Sequence, residues 1–178
     1  MKTGKDVLVS NNVDIRYTNL VEFGNHVAVD SYFCCSTQLI TGDYVHIGPL
    51  VSIIGGKESQ CKLGHFSGIA AGCRIICASD SYSGEGLINP LVPEEYRDEV
   101  IGGLVKIEDF VTLGTNAIVM PGVTLSVGTV VAAGGVVTQD TRPWTLYAGN
   151  PARPLKDRPS EKMLQYAKDM GYDDMPRI

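Results

Sequence analysis

Residues 107–140, IEDFVTLGTNAIVMPGVTLSVGTVVAAGGVVTQD, decide the fold. Counted in sixes from Ile107, an aliphatic side chain returns at Leu113, Val119, Leu125, Val131 and Val137. Four residues after each comes a second small or aliphatic side chain: Val111, Ala117, Val123, Thr129 and Gly135. A period of six matches neither the roughly 3.6-residue period of an amphipathic helix nor the ~2 of a half-buried strand. It is the period of a parallel β-helix, in which each unit is a short strand and a turn and stacked units share one core.

The repeat runs backwards in two blocks. Phe23, Val29, Cys35, Thr41, Ile47 and Ile53 keep the spacing, with Val27, Phe33, Leu39, Val45 and Val51 as companions. Leu63, Ile69 and Ile75 resume it, with Ser67, Cys73 and Ser79 as companions. The gap from Gly55 to Lys62 is about four residues longer than one unit, and the gap from Ser81 to Lys106 is much longer. Three units make one triangular circuit. The chain therefore reads as all-β: a parallel β-helix of about five coils over residues 23–140, with a long loop at 81–106 protruding from a corner. Residues 1–22, where Val13, Ile15 and Tyr17 alternate as in a strand, are expected to form a lead-in that caps the open first coil. Residues 141–178 form a proline-rich extension, in which Ser160 and Gly171 bracket a helix expected over about 160–170.

Composition narrows the function. A chain of 178 residues is one domain, and its net charge of −5 disfavours nucleic-acid or anionic-membrane partners. No apolar run approaches the ~20 residues of a bilayer span, and the start, MKTGKDVLVSNN, lacks a signal-peptide core, so a cytoplasmic protein is expected. Five cysteines form no CxxC pair; Cys35 and Cys73 fall on inward positions, and reduced, mostly structural thiols are expected. The loop SYSGEGLINPLVPEEYRDEVIGGLV is too long to be a plain connection, and a loop leaving a solenoid corner is where a binding surface is built.

The hexads, together with VMPGVTL, VAAGGVVTQD and YAGNPARPL, resemble the hexapeptide-repeat acyltransferases, over roughly Gly42 to Arg158. Within them the chain is most similar to the galactoside/maltose and xenobiotic acetyltransferases and to the sugar O-acetyltransferases of surface-polysaccharide pathways. The resemblance implies a left-handed β-helix, a homotrimer, and acetyl-CoA as donor in a cleft between subunits, with no metal. It implies that Thr115, Ala133, Gly134 and Thr138 line the groove for the pantetheine arm, and that Arg153 and Lys156 meet the cofactor's phosphates, Arg through its planar fork and Lys as a point charge. Gln139 stands where relatives often carry Lys. Trp144 lies either on the adenine ring or in packing beside Pro143.

One departure bears on catalysis. Where the galactoside and maltose enzymes carry a catalytic histidine, this chain reads Ala78-Ser79-Asp80-Ser81. By unit counting His65 points outward near a corner to which Asp80 returns, fifteen residues on, so Asp80 would orient His65 as general base. His46 faces out at another corner and is the second candidate. With an amine acceptor no histidine is needed, and Asp80 or Glu85 would bind or deprotonate an ammonium. The expected reaction is direct acetyl transfer to a sugar, on a saccharide hydroxyl or on the amino group of a nucleotide-linked sugar. Tyr82, Glu85 and Asn89 of the loop are expected to recognise the acceptor. The alternatives are a xenobiotic O-acetyltransferase, a non-catalytic hexapeptide scaffold, and a γ-carbonic-anhydrase-like metal protein, for which the spacing of His26, His46 and His65 is unsuited.

Overall fold

The computed structural model describes residues 1–173. The chain winds as a three-faced prism of parallel strands. In each two-residue strand one side chain points out and the next points in; Thr112 is exposed and Leu113 fully buried. Face one stacks Leu8–Val9, Ala28–Val29, His46–Ile47, Gly68–Ile69, Thr112–Leu113, Val130–Val131 and Thr145–Ala148. Face two runs from Asp14–Ile15 through Arg74–Ile76 and Ile118–Val119 to Val136–Val137. Face three runs from Lys2–Thr3 through Val21–Phe23 and Leu104–Ile107 to Thr124–Leu125. The inward residues form one continuous, mostly aliphatic column that also takes in Phe23, Phe33 and four cysteines.

Seven rungs stand on face one, against about five coils expected. Both additions lie where the six-period lapses. Residues 2–15 are themselves a coil, pairing in parallel with Val21–Phe23, Ala28–Val29 and the start of Cys34–Thr41. The repeat hides there because twenty residues separate Val9 from its partner Val29, two more than a regular circuit. At the other end Thr145–Ala148 adds a rung, and Arg153–Asp157 closes face one in antiparallel fashion. The helix is Glu161–Asp169, and Ser160 precedes it without a side-chain cap bond.

Ser79, expected to point inward, is half-buried and outside the coil. The chain leaves the prism at Cys77, which fills the inward place with no exposure, and Ala78–Asp80 pairs antiparallel with Val100–Gly102. Cys61 is fully buried as well, its thiol pushed well above its ordinary pKa by the hydrogen bond with Cys77 and by burial.

The corner between faces three and one is held by rings. His26, Tyr44, Phe66, Phe110 and Trp144 all occupy the left-handed region, at φ of 48–59°, which bulky residues seldom enter. His26–Tyr44, Tyr44–Phe66 and Phe66–Phe110 stack at 4.6, 5.2 and 5.2 Å between centroids. Each such pair contributes about 0.5–1.5 kcal/mol beyond its burial. Trp144 continues the column 5.7 Å from Phe110, over Gly128, where any side chain would strike the indole. Trp144 thus has a packing role.

The core supports a direct test. Leu113 is fully buried between Ile69 and Val131 on face one. Leu113→Ala is expected to lower unfolding free energy by about 3 kcal/mol, transfer and cavity terms together. Equilibrium denaturation checks this; a loss below about 1 kcal/mol would mean that the column is not close-packed at this coil.

Candidate active site

Two surfaces border face two in its C-terminal half. The first is a ledge made by three stacked corners, residues 70–72, 114–116 and 132–134. The Asn116 N–H donates to the Ala71 carbonyl at 3.0 Å and the Gly134 N–H to the Thr115 carbonyl at 2.9 Å, so each corner rests on the one before. Gly114 is required there, because a Cβ would lie 2.6 Å from the Ala133 backbone nitrogen. Gly134, at φ +70°, faces open space. The structure thus brings Thr115, Ala133 and Gly134 together as a low, bare wall. Thr138 lies across the same face, at its opposite edge after Val136–Val137. The Ala152 N–H donates to the Val136 carbonyl at 2.7 Å, which sets exposed Arg153 beside the last corner of the ledge. Lys156 sits opposite Leu146, further along face one.

The second surface is the ribbon of Ala78–Asp80 and Val100–Gly102. It leaves the corner between faces two and three. The four extra residues of the strand Ser52–Leu63 bulge from that corner one coil earlier. Bulge and ribbon line a cleft of about 470 Å³, with Gly55, Gly56 and Lys57 on one side and Ala78, Val100 and Gly102 on the other. Gly55 has no room for a Cβ, which would lie 2.8 Å from that of Cys77. Two insertions at a single corner of the prism thus build one concavity.

The loop beyond the ribbon is organised by Asp98, a residue the sequence reading passed over. Asp98 is 5% exposed. It accepts from the hydroxyls of Ser83 at 2.6 Å and Ser81 at 3.0 Å, and from the N–H groups of Glu99 at 2.8 Å and Gly84 at 3.3 Å. These bonds, Ser83's foremost, hold its carboxyl below the ordinary carboxylate pKa. Gly86 packs directly on the Arg97–Asp98 backbone, leaving no room for a side chain. The available signal was the pattern Ser81-x-Ser83-Gly84 within a loop carrying an acid at its far end.

Of the three acceptor candidates, Tyr82 and Glu85 are exposed on this loop. Asn89 is exposed too, but its side-chain oxygen accepts from the Leu91 N–H at 2.8 Å, which makes it a turn former. Asp80 lies opposite Val100 in the ribbon, half-buried. Among the described residues no donor is within hydrogen-bonding distance of its carboxylate.

His65 does not meet Asp80 within the chain. It lies at the corner between faces three and one, a whole face away from the ribbon. Unit counting joined them because it closed the circuit through Ser79, whereas the chain has already departed at Cys77. Nor does His65 point outward: it is 7% exposed. Its Nδ1 accepts from the Asp43 N–H at 2.9 Å, and its backbone N–H donates to the Asp109 carboxylate at 2.7 Å. With Nδ1 occupied, a neutral ring carries its proton on Nε2, which is buried without a partner. Such a ring offers no lone pair to a substrate. Asp43 also accepts from the Tyr172 hydroxyl at 2.6 Å, and burial together with that bond pushes the Tyr172 pKa up to about 12. His46 is exposed on face one, 2.9 Å from Asp30. The described residues contain no group of three or more His, Cys, Asp or Glu side chains placed to hold a metal ion. No helix among them is long and apolar enough to cross a membrane.

No family model matches the chain. Relatives and solved structures do. The dTDP-4-amino-4,6-dideoxy-D-glucose acyltransferase of Escherichia coli is 32% identical over 166 residues, 91% of this chain and 84% of the relative. A chloramphenicol acetyltransferase of Escherichia coli is 35% identical over 79 residues, 44% of this chain and 35% of the relative. A mutant of AntD, an N-acyltransferase from Bacillus cereus solved with dTDP-4-amino-4,6-dideoxyglucose and coenzyme A, superposes with TM-score 0.89 at 28% identity, covering 96% of this chain and 90% of that one. A hexapeptide-repeat acetyltransferase of Vibrio cholerae complexed with acetyl coenzyme A gives TM-score 0.58 at 26% identity, over 88% and 70%. The prism, its ledge and its protruding loop therefore belong to a hexapeptide-repeat acyltransferase of the left-handed β-helix type, and the chain is a member of the family of the dTDP-4-amino-4,6-dideoxy-D-glucose acyltransferase.

Proposed function

We propose that this enzyme transfers an acyl group from an acyl-CoA thioester to the amino group of a dTDP-linked 4-amino-4,6-dideoxyhexose. The observation that carries the reading is the length of the match to the Escherichia coli enzyme. At 91% of the chain it is too long to leave out the ribbon and loop, the part of the fold free to differ between acceptors. The match to the chloramphenicol enzyme is confined to 44% of the chain, and supports the common donor chemistry more than a common acceptor.

In this reading the pantetheine arm lies along the ledge of Thr115, Ala133 and Gly134, passes Thr138, and directs its phosphates to Arg153 and Lys156. The acceptor lies under the loop, with Tyr82 and Glu85 against it. The amine attacks the thioester carbonyl, and the nitrogen becomes cationic as the C–N bond forms. Asp80 takes that proton, the C–S bond breaks, and the proton leaves on the CoA sulfur. The product is an N-acylated nucleotide sugar, a form suited to glycosyl transfer in surface-polysaccharide assembly. His65 has a structural part here, and His46 stands away from the chemistry.

A homotrimer completes the site. Leu87, Ile88, Leu91, Val100 and Ile101 are all exposed on the ribbon and loop, Leu91 at 90%, and Leu104 is exposed where the chain rejoins face three. So much exposed apolar surface within one segment suits contact with a neighbouring copy.

The experiment is release of free thiol from acetyl-CoA. Release with dTDP-4-amino-4,6-dideoxy-D-glucose, and none with the matching 4-hydroxy nucleotide sugar, is the expected result. Thiol release only with hydroxyl acceptors such as chloramphenicol or simple glycosides would overturn the assignment.

A further inference from the structure

Away from the transfer site, one partly buried cation lacks an anion among the described residues. The helix Glu161–Asp169 covers part of face one, and beneath it lies a cavity of about 260 Å³. Phe66, Phe110, Met163, Ala167 and Met170 supply apolar walls, and Arg158 is the one charged residue lining it among the described residues. Arg158 Nη1 donates to the carbonyls of Phe110 and Gly128, both at 2.9 Å. Nη2 lies 3.0 Å from the Met163 sulfur, a weak acceptor. The guanidinium also sits 5.8 Å from the Trp144 ring. Among the described residues no carboxylate is within ion-pair distance of it. Burial lowers its pKa from the ordinary arginine value.

A cation withdrawn from water is ordinarily paired, because desolvation penalises an isolated charge. Here the half-buried guanidinium has two carbonyls and a thioether but, among the described residues, no anion, and it stands beside the cavity's apolar walls. We propose that this cavity binds a small amphipathic monocarboxylate, a short fatty or aromatic acid, with its carboxylate on the Arg158 fork and its tail against Phe66, Phe110 and the two methionines. Size supports the class: at a water's share of ~30 Å³ per heavy atom, the space holds roughly nine atoms. That accommodates the whole of hexanoate or benzoate, whereas CoA or a nucleotide sugar would extend well beyond it. Charge selects an anion, and a single guanidinium in apolar walls suits a planar carboxylate better than a phosphate, which asks for more donors. A bound carboxylate would tie the helix to the coils carrying Phe110 and Gly128.

Trp144 is the only tryptophan in the chain and adjoins Arg158, so it reports occupancy directly. Sodium hexanoate is titrated into the full-length protein at constant ionic strength, with and without saturating CoA, following Trp144 fluorescence and melting temperature. Hexan-1-ol and hexylammonium are the neutral and cationic controls. The expected result is a saturable fluorescence change and a raised melting temperature with hexanoate, unaltered by CoA, and at least about tenfold weaker with either control. Arg158→Gln is expected to abolish the response. That variant also loses two carbonyl bonds, so Ala167→Leu is the second: its three added carbons take up about a third of the cavity and leave Arg158 in place, and it is expected to weaken the response at least about tenfold without lowering the melting temperature. No saturable response up to about 10 mM, equal responses to hexan-1-ol, competition with CoA, or an undiminished response in Ala167→Leu would each overturn the proposal.

Discussion

Asp80→Asn lowers kcat for the amino-sugar acceptor by about 10²–10⁴-fold, the usual contribution of a positioned base, while CoA affinity stays within a few-fold. The substitution is nearly isosteric and leaves the ribbon pairing of Asp80 with Val100 unchanged, because that pairing uses the backbone. Only the acceptance of a proton is removed. His65→Ala gives the opposite pattern. It deletes the acceptor of the Asp43 N–H and a ring 5.6 Å from Tyr172, so it lowers the melting temperature while the folded enzyme keeps kcat within a few-fold. Steady-state kinetics on both variants, with circular dichroism to confirm folding, separates the roles. If His65→Ala loses as much turnover as Asp80→Asn at unchanged stability, the proton passes through the histidine and the proposed chemistry fails.

Most of the fold is legible in the chain because a solenoid core is repeated locally. Val131 needs only Leu113 beneath it and Tyr147 above it, and each neighbour lies about one circuit away in sequence. The six-period therefore survives any amount of excursion between coils, as Ile107 resumes the column directly above Leu63 after the long loop. The first coil escaped notice because its circuit is two residues longer, and a fixed count loses phase at such a point.

The candidate site is legible in one half only. The ledge follows the repeat: Thr115 and Ala133 are one circuit apart, so their stacking follows from the hexad count. The ribbon half obeys no period. Where Asp80 lies depends on which residue last holds to the coil, and a two-residue displacement, from Ser79 to Cys77, moved the acid a whole face away from His65. Histidine burial was equally hidden. The unit position of His65 suggests an outward side chain, but the Asp43 N–H and the edge of Tyr172 enclose it, and Tyr172 arrives from beyond the helix. A contact across that much sequence leaves no local pattern.

The loop itself yields the second large effect, at Asp98. Asp98→Ala removes the acceptor for two hydroxyls and two N–H groups. These bonds, made between Ser81 and Glu99, close a loop that buries little apolar surface of its own; Leu87, Ile88 and Leu91 all face solvent. Without them the loop is expected to exchange among conformations, and a misplacement on the ångström scale costs about 10²-fold in kcat/KM for the acceptor. The ledge shares no bond with this loop, so KM for acetyl-CoA should hardly change. Faster hydrogen exchange over residues 81–99, with the prism protected as before, would accompany the loss. The pH dependence follows from the lowered native pKa. Loop order derived from Asp98 is fully present above the ordinary carboxylate value of about 3.9, and is lost only as pH falls through the lower value of the folded state. Exchange over residues 81–99 should therefore stay slow in the wild type down to about pH 4 and be fast at every pH in the variant. An Asp98→Ala enzyme with wild-type acceptor kinetics would show that the loop is ordered by other contacts, most directly those of a neighbouring subunit on its apolar face.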